Sequence, residues 1–183
     1  MTLTLETLPV GVFIFALGTI VGSFLNVVAL RLHTGRFSID RSFCFSCSRS
    51  LRWFELIPVI SFFALRGKCR TCGASVSLQY PVVEFLTGAL FVLLFLKISS
   101  LSAFLPLAVL ISIFIVIGVY DIRHTIVPDE LSYGAAVLSL ALLFFDAASL
   151  SFSVPTSSEF FAGPLVAAPL FFLWLISRGR WMG

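Results

Sequence analysis

Leu8 to Leu30 is a stretch of 23 residues without one charged side chain, and about 20 apolar residues suffice to cross the roughly 30 Å hydrocarbon core of a bilayer. Four further apolar runs follow, Pro81–Leu96, Leu101–Tyr120, Leu131–Phe145 and Phe160–Ile176. Backbone N–H and C=O groups find no water inside lipid, so such runs cross it as helices. No Lys or Arg precedes the first run and no Ala-x-Ala-like cleavage site follows it. It therefore reads as a retained helix and not as a signal peptide. The composition agrees: 59% of residues are hydrophobic and 11% charged, against about 45–50% and about 25% in an ordinary soluble domain. The 21 Phe residues alone would be hard to bury in one water-soluble core of 183 residues. A soluble globular domain, a disordered chain and a fibrous repeat are excluded. The expected fold is all-α and polytopic, with about five transmembrane helices. The runs Pro81–Leu96 and Leu131–Phe145, at 16 and 15 residues, have soft ends.

The net charge of +3 is unevenly placed, and its placement argues against a nucleic-acid partner. Residues 31–79 hold eight bases (Arg31, Arg36, Arg41, Arg49, Arg52, Arg66, Lys68, Arg70) against Asp40 and Glu55, a net of +6; the rest holds four bases and seven acids, a net of −3. A basic loop beside a membrane helix sets topology, with the bases on the cytoplasmic side. That orientation puts the N-terminus outside, 97–100 outside, 121–130 inside, 146–159 outside and Arg178 and Arg180 inside. Lys97 is the one loop charge against the rule. Tyr80, Lys97 and Tyr133 flank the runs as interfacial anchors.

All four cysteines of the chain lie in the basic loop, as Cys44-x-x-Cys47 and Cys69-x-x-Cys72, with 21 residues between the pairs. Two such turns at about this separation form a zinc-ribbon pattern, since each aims two thiolates at one tetrahedral ion. The alternative is a pair of disulfides, which a cytoplasmic loop disfavours because thiols stay reduced there. Four thiolates leave no open coordination position, so the expected Zn2+ is structural and holds the loop folded.

Polar residues at the membrane edge are the other candidates. In Gly22-Ser23-Phe24-Leu25-Asn26 the small residues permit close helix packing and Asn26 can bond between helices; packing glue is the simpler reading. Glu84 falls in the first turns of a membrane helix and needs a partner, for which an Arg of the loop is available. Asp121 directly follows about twenty apolar residues at a helix C-terminus, where the dipole and partial desolvation both disfavour a charged carboxylate. Catalysis and a plain boundary charge both stay open for it. Asp129, after Pro128, can start the next helix, where a carboxylate suits the N-terminus. His124 tempts a metal or acid–base reading, but a lone interfacial His is more often neither.

Taken together, Gly22-Ser23-Phe24-Leu25-Asn26-Val27, the paired C-x-x-C turns, Trp53-Phe54-Glu55-Leu56-Ile57-Pro58, Leu65-Arg66-Gly67-Lys68-Cys69-Arg70-Thr71-Cys72, Tyr80-Pro81-Val82-Val83-Glu84 and the Asp121…Pro128-Asp129 segment resemble the type IV prepilin peptidases, in the family's order from about Val21 to Leu131. Phe45 departs from the Pro common after the first cysteine. The resemblance implies a membrane aspartyl protease of the bacterial cytoplasmic membrane. Such enzymes cut the short basic leader from prepilins or pseudopilins at the cytoplasmic face. Members with the cysteine loop also N-methylate the new amino terminus with S-adenosylmethionine. Asp121 matches the family's first catalytic aspartate. The second lies in a Gly-x-Gly-Asp motif, and the chain stops at Gly183, where that motif's first glycine could stand.

The reading is thus of a truncated enzyme, expected to be inactive alone, with Asp129 an imperfect substitute for the missing dyad partner. Its expected parts are a first transmembrane helix (1–30), a cytoplasmic zinc-binding loop (31–80) and a helical bundle carrying Asp121 (81–183). Expected partners are prepilin substrates, membrane lipid and components of pilus or secretion assembly. The alternative is a non-enzymatic zinc-ribbon adaptor of such an assembly.

Overall fold

The computed structural model describes residues 7–32, 42–98, 100–146, 151–152 and 156–177. Expected features at Arg36, Asp40, Arg41, Arg178 and Arg180 lie outside them. Six helices carry the described chain: α1 (Leu8–Arg31), α2 (Ile60–Ala64), α3 (Gln79–Lys97), α4 (Leu101–His124), α5 (Asp129–Phe144) and α6 (Ser157–Ser177), with a single 3-10 turn at Trp53–Leu56. One departure from an all-helical reading is a two-residue antiparallel pair, β1 (Phe145–Asp146) with β2 (Ser151–Phe152).

Among the described residues, four helices are long and apolar enough to cross a membrane: Leu8–Arg31, Gln79–Lys97, Leu101–His124 and the Phe160–Ser177 part of α6. The fifth expected span, α5, is helical but has 16 residues, about 24 Å at about 1.5 Å per residue. Polar Asp129 and Glu130 open it and further shorten its apolar length. The outer faces invert the soluble pattern. Phe13, Phe24, Phe85 and Val109 are all exposed, as side chains facing lipid must be.

Helices in lipid gain little from burying apolar area against one another, so close backbone approach has to hold them. Gly18 and Gly22 lie one turn apart on α1 and make that approach. A Cβ on Gly18 would meet the Gly88 Cα at 2.7 Å, and one on Gly22 would meet the Glu84 Cα and Thr87 Oγ1, each at 2.8 Å. Asn26 continues the same stripe one turn further and is wholly buried, as is Thr87 on the facing helix. Where α4 joins this pair, Leu25, Ala29, Val83, Ile115, Val116 and Val119 form the main core cluster. Phe91 and Phe104 meet edge-on toward the other end, at 5.9 Å between ring centroids. By contrast no described residue of the Phe160–Ser177 span is buried.

Gly22→Leu should force α1 and α3 apart. Overpacking of this kind costs about 1–3 kcal/mol where neighbours can shift, and here the obstruction is partly backbone. The expected result is a clear drop in thermal stability in detergent, read by the aggregation midpoint, with Gly118→Leu as the control. A Cβ on Gly118 meets nothing within 4 Å.

Candidate functional site

The cysteine loop is built from two copies of one turn. In the first, the Cys44 N–H donates to the Arg49 carbonyl at 2.9 Å and the Ser48 N–H to the Cys44 carbonyl at 2.8 Å. In the second, Cys69 N–H donates to Ala74 at 2.8 Å and Gly73 N–H to Cys69 at 3.0 Å. Each turn closes with a bridge, Phe43 with Ser50 and Lys68 with Ser75. Each also carries a left-handed residue just after its second cysteine, Ser48 at φ 55° and Gly73 at φ 70°. Glycine adopts that conformation at no steric cost, whereas serine does not.

The turns bring the sulfurs together. All four Sγ atoms lie within 4.8 Å of one another, and Cys44 Sγ is 3.8 Å from Cys72 Sγ. Four sulfurs at about 2.3 Å from one tetrahedral ion stand about 3.8 Å apart, so the spacing suits that ion. The four are free thiols, and as a donor set they can hold a metal ion and are compatible with zinc.

Electrostatics favour the ionised form for part of the set only. N–H groups of Cys47 and Ser46 lower the Cys44 thiol below its ordinary value. Those of Cys72 and Thr71 bring Cys69 down to about 6. The Ala74 N–H also favours the Cys72 thiolate, but burial and the neighbouring sulfurs outweigh it and raise Cys72 to about 11. Like charges crowd at one point, and a cation at the centre removes that conflict.

A second layer, which the sequence alone did not disclose, ties this cluster to the 3-10 turn. Arg49 Nη2 donates to Glu55 Oε1 at 2.7 Å, and its guanidinium also reaches Cys69. Glu55 Oε2 accepts the Arg52 N–H at 2.8 Å. The Arg49 hydrogen bond first, then the Arg52 N–H, hold the Glu55 carboxyl below the usual carboxylate range. Nearby, the Arg70 guanidinium lies over the Phe54 ring, 5.6 Å from its centroid.

Glu84 finds a different partner from the loop arginine expected for it. Its Oε2 accepts the Val59 N–H at 2.7 Å, and the Ser23 hydroxyl supplies a further hydrogen bond. Val59 has φ 62° and ψ −54°, with Ile60 N–H donating to the Pro58 carbonyl at 2.6 Å. This is a γ-turn in a region costly for a β-branched residue. The buried carboxylate thus clamps a strained turn of the loop onto α3. Glu84→Ala should release it, leaving the Val59 N–H unpaired at a cost of about 1–3 kcal/mol. Hydrogen exchange at Val59 is expected to speed up by at least about five-fold, since about 1.4 kcal/mol is a factor of ten, with the cysteine turns unaffected.

Asn26 behaves as interhelical glue. Its Nδ2 donates to the Gly22 and Tyr80 carbonyls, each at 3.3 Å, and its Oδ1 accepts from Gln79 Nε2 at 3.3 Å. Gln79 Oε1 in turn accepts from Arg123 Nε at 2.6 Å. The chain joins α1, α3 and α4 at one end of the bundle.

That end also carries Asp121, in the last turn of α4. The carboxylate is exposed, covered by no other described part of the chain. Thr125, left-handed at φ 53°, caps the helix by donating its N–H to the Asp121 carbonyl at 2.7 Å. Asp129 is the first residue of α5 and likewise exposed. Among the described residues no hydrogen bond joins Asp121 to Asp129. His124 stacks on Tyr120 at 4.4 Å between ring centroids. Below Asp121, α4 and α5 enclose an open apolar groove of about 340 Å³, lined in part by Phe114, Ile117, Val127 and Ala135. Ile117 is one turn from Asp121 on the same face of α4.

Residues 16–98 match the model of the bacterial peptidase A24 N-terminal domain. That range holds Asn26, the four cysteines and Glu84; Asp121 and Asp129 lie beyond it. A prepilin leader peptidase/N-methyltransferase of Myxococcus xanthus is 39% identical over 134 residues, 73% of this chain and 40% of the relative. One from Bacillus subtilis is 34% identical over 157 residues, 85% of this chain and 59% of the relative. One from Klebsiella pneumoniae is 33% identical over 129 residues, 67% and 57% of the two chains. The chain thus spans about half the length of these curated relatives. No solved structure matches it. The glycine packing of the first helix and the doubled cysteine turns fall within the matched range, and these similarities lead to one conclusion: residues 16–98 form a bacterial peptidase A24 N-terminal domain, in a chain similar to the prepilin leader peptidase/N-methyltransferases.

Proposed function

We propose that this protein works in leader cleavage of type IV prepilins or pseudopilins at the cytoplasmic face of a bacterial inner membrane, with Asp121 as one catalytic carboxylate. The observation that carries this reading is the placement of Asp121, exposed at the end of a membrane helix beside an apolar groove. Residues 121–130 hold three acids and one Arg, a net of −2, a field that favours approach of a basic leader. In an aspartyl dyad one carboxylate takes a proton from water while the other gives a proton to the leaving amine, the pair titrating as a unit. Asp129 serves α5 as a first-turn carboxylate and is assigned no part in that chemistry.

The four cysteines, Cys44, Cys47, Cys69 and Cys72, bind one structural Zn2+, which fastens the loop and takes no part in hydrolysis. The loop is cytoplasmic and the N-terminus external, on the distribution of Lys and Arg. The chain divides into a first transmembrane helix, the zinc loop of residues 31–80 and the bundle with Asp121. N-methylation is supported by the relatives' name, N-methyltransferase, with S-adenosylmethionine the donor implied by the family resemblance, and no residue is assigned to it. Leader cleavage of a prepilin in membranes by the chain extended through a Gly-x-Gly-Asp motif, with and without Asp121→Asn, tests the reading.

A further inference from the structure

We propose that α2 is an interfacial anchor, seated in the membrane leaflet that faces the cysteine loop, with Arg66 and Lys68 on the phosphates of anionic lipid. The depth of α2 comes from its tether. Glu84 is five residues into α3, about 7.5 Å along the helix from Gln79, and helical side chains lean back toward the N-terminus. The Val59 N–H that Glu84 holds at 2.7 Å is therefore level with the first turn of a membrane-crossing helix. The five residues of α2 begin at the next position, Ile60. At that depth acyl chains meet headgroups.

The surface of α2 suits such a place and no aqueous one. Ile60 and Phe63, one turn apart on the same face, are 65% and 69% exposed, and Ile57 just before them is 36% exposed. Phe62 turns the other way, packed under Gly67 so closely that a Cβ there would come within 2.9 Å of its ring. After the helix the chain reverses through Arg66 and Gly67, both left-handed at φ 52° and 65°. Lys68 N–H closes that turn on the Leu65 carbonyl at 3.1 Å. Two cations thus follow directly on an exposed apolar face. With Arg49 and Glu55 paired, the described part of the loop (42–78) keeps Arg52, Arg66, Lys68 and Arg70 with no further acid. An apolar face rimmed by bases is the chemistry that binds an anionic leaflet, each base near the surface adding about 1 kcal/mol.

The test leaves leader cleavage aside, so its outcome is independent of the proposed activity. Phe63→Trp is introduced into the full chain with Trp53, Trp174 and Trp181 replaced by Phe, and the protein is reconstituted in vesicles of phosphatidylcholine with phosphatidylglycerol. Lipids brominated near the headgroup end of the acyl chain are expected to quench most of the emission, which is also blue-shifted. Lipids brominated near the chain terminus should quench less. Arg66→Gln with Lys68→Gln should reduce the quenching to that found in phosphatidylcholine alone. Red-shifted emission indifferent to bromine would overturn the proposal and make α2 a docking face for another protein. Quenching unchanged by the double substitution or by removing phosphatidylglycerol would overturn the headgroup contact.

Discussion

Cys44→Ser is expected to reduce bound zinc from about one equivalent per chain to nearly none, with the loop between α1 and α3 unfolding while the membrane helices stay folded. The reasoning is one of magnitude. Each turn is held by a few backbone hydrogen bonds, worth about 0.5–1.5 kcal/mol apiece net. Structural zinc in small peptides contributes about 10–16 kcal/mol at neutral pH. The loop's own contacts are therefore the minor part of its stability. Replacing one thiolate also leaves Cys72, already raised to about 11 by burial and the sulfurs around it, in a cluster with no central cation. Elemental analysis of the purified protein reads the metal, and limited proteolysis between residues 42 and 78 reads the fold. Full zinc content or an intact loop in the variant would contradict the assignment. Cys69→Ser should behave in the same way, because the second turn repeats the first bond for bond.

In the chain extended through a Gly-x-Gly-Asp motif, Asp121→Asn should lower leader cleavage by on the order of 10⁴-fold, the scale on which removing a carboxylate from a catalytic unit acts. Asparagine keeps the shape and can accept a hydrogen bond, but it cannot take a proton from water or share one across a dyad. The exposed position makes the experiment clean. The Asp121 side chain fills no core, and the helix cap that depends on this residue uses its backbone carbonyl, 2.7 Å from the Thr125 N–H. Expression, zinc content and thermal stability should therefore match the unsubstituted protein. A loss of activity together with a loss of folded protein would point to a structural role instead.

The sequence carried much of the architecture because its signals were local. Apolar runs located the helices to within a few residues, and two C-x-x-C pairs foretold a cluster whose sulfurs do converge. Asn26 was legible as glue, since a buried amide on a glycine stripe has few other uses. What escaped notice depends on contacts distant in sequence. Nothing near Glu84 signals that its partner is the N–H of Val59, 25 residues earlier, because any backbone can supply that donor. Gln79 and Arg123 meet across 44 residues for equally non-local reasons. Gly18 is a different case: its spacing from Gly22 was readable and only the second glycine was singled out. For α5 the apolar run marked a helix correctly, but that helix has 16 residues, the first two of them acidic, where a span needs more.

The most direct test of the account compares three proteins in bacterial membranes, each extended through a Gly-x-Gly-Asp motif: unsubstituted, Asp121→Asn and Asp129→Asn. Each is incubated with a prepilin, and the released leader is measured by mass spectrometry. The expected result is cleavage by the unsubstituted protein and by Asp129→Asn, and none detectable with Asp121→Asn. Undiminished cleavage by Asp121→Asn would remove that carboxylate from the chemistry and contradict the proposed function of this end of the bundle.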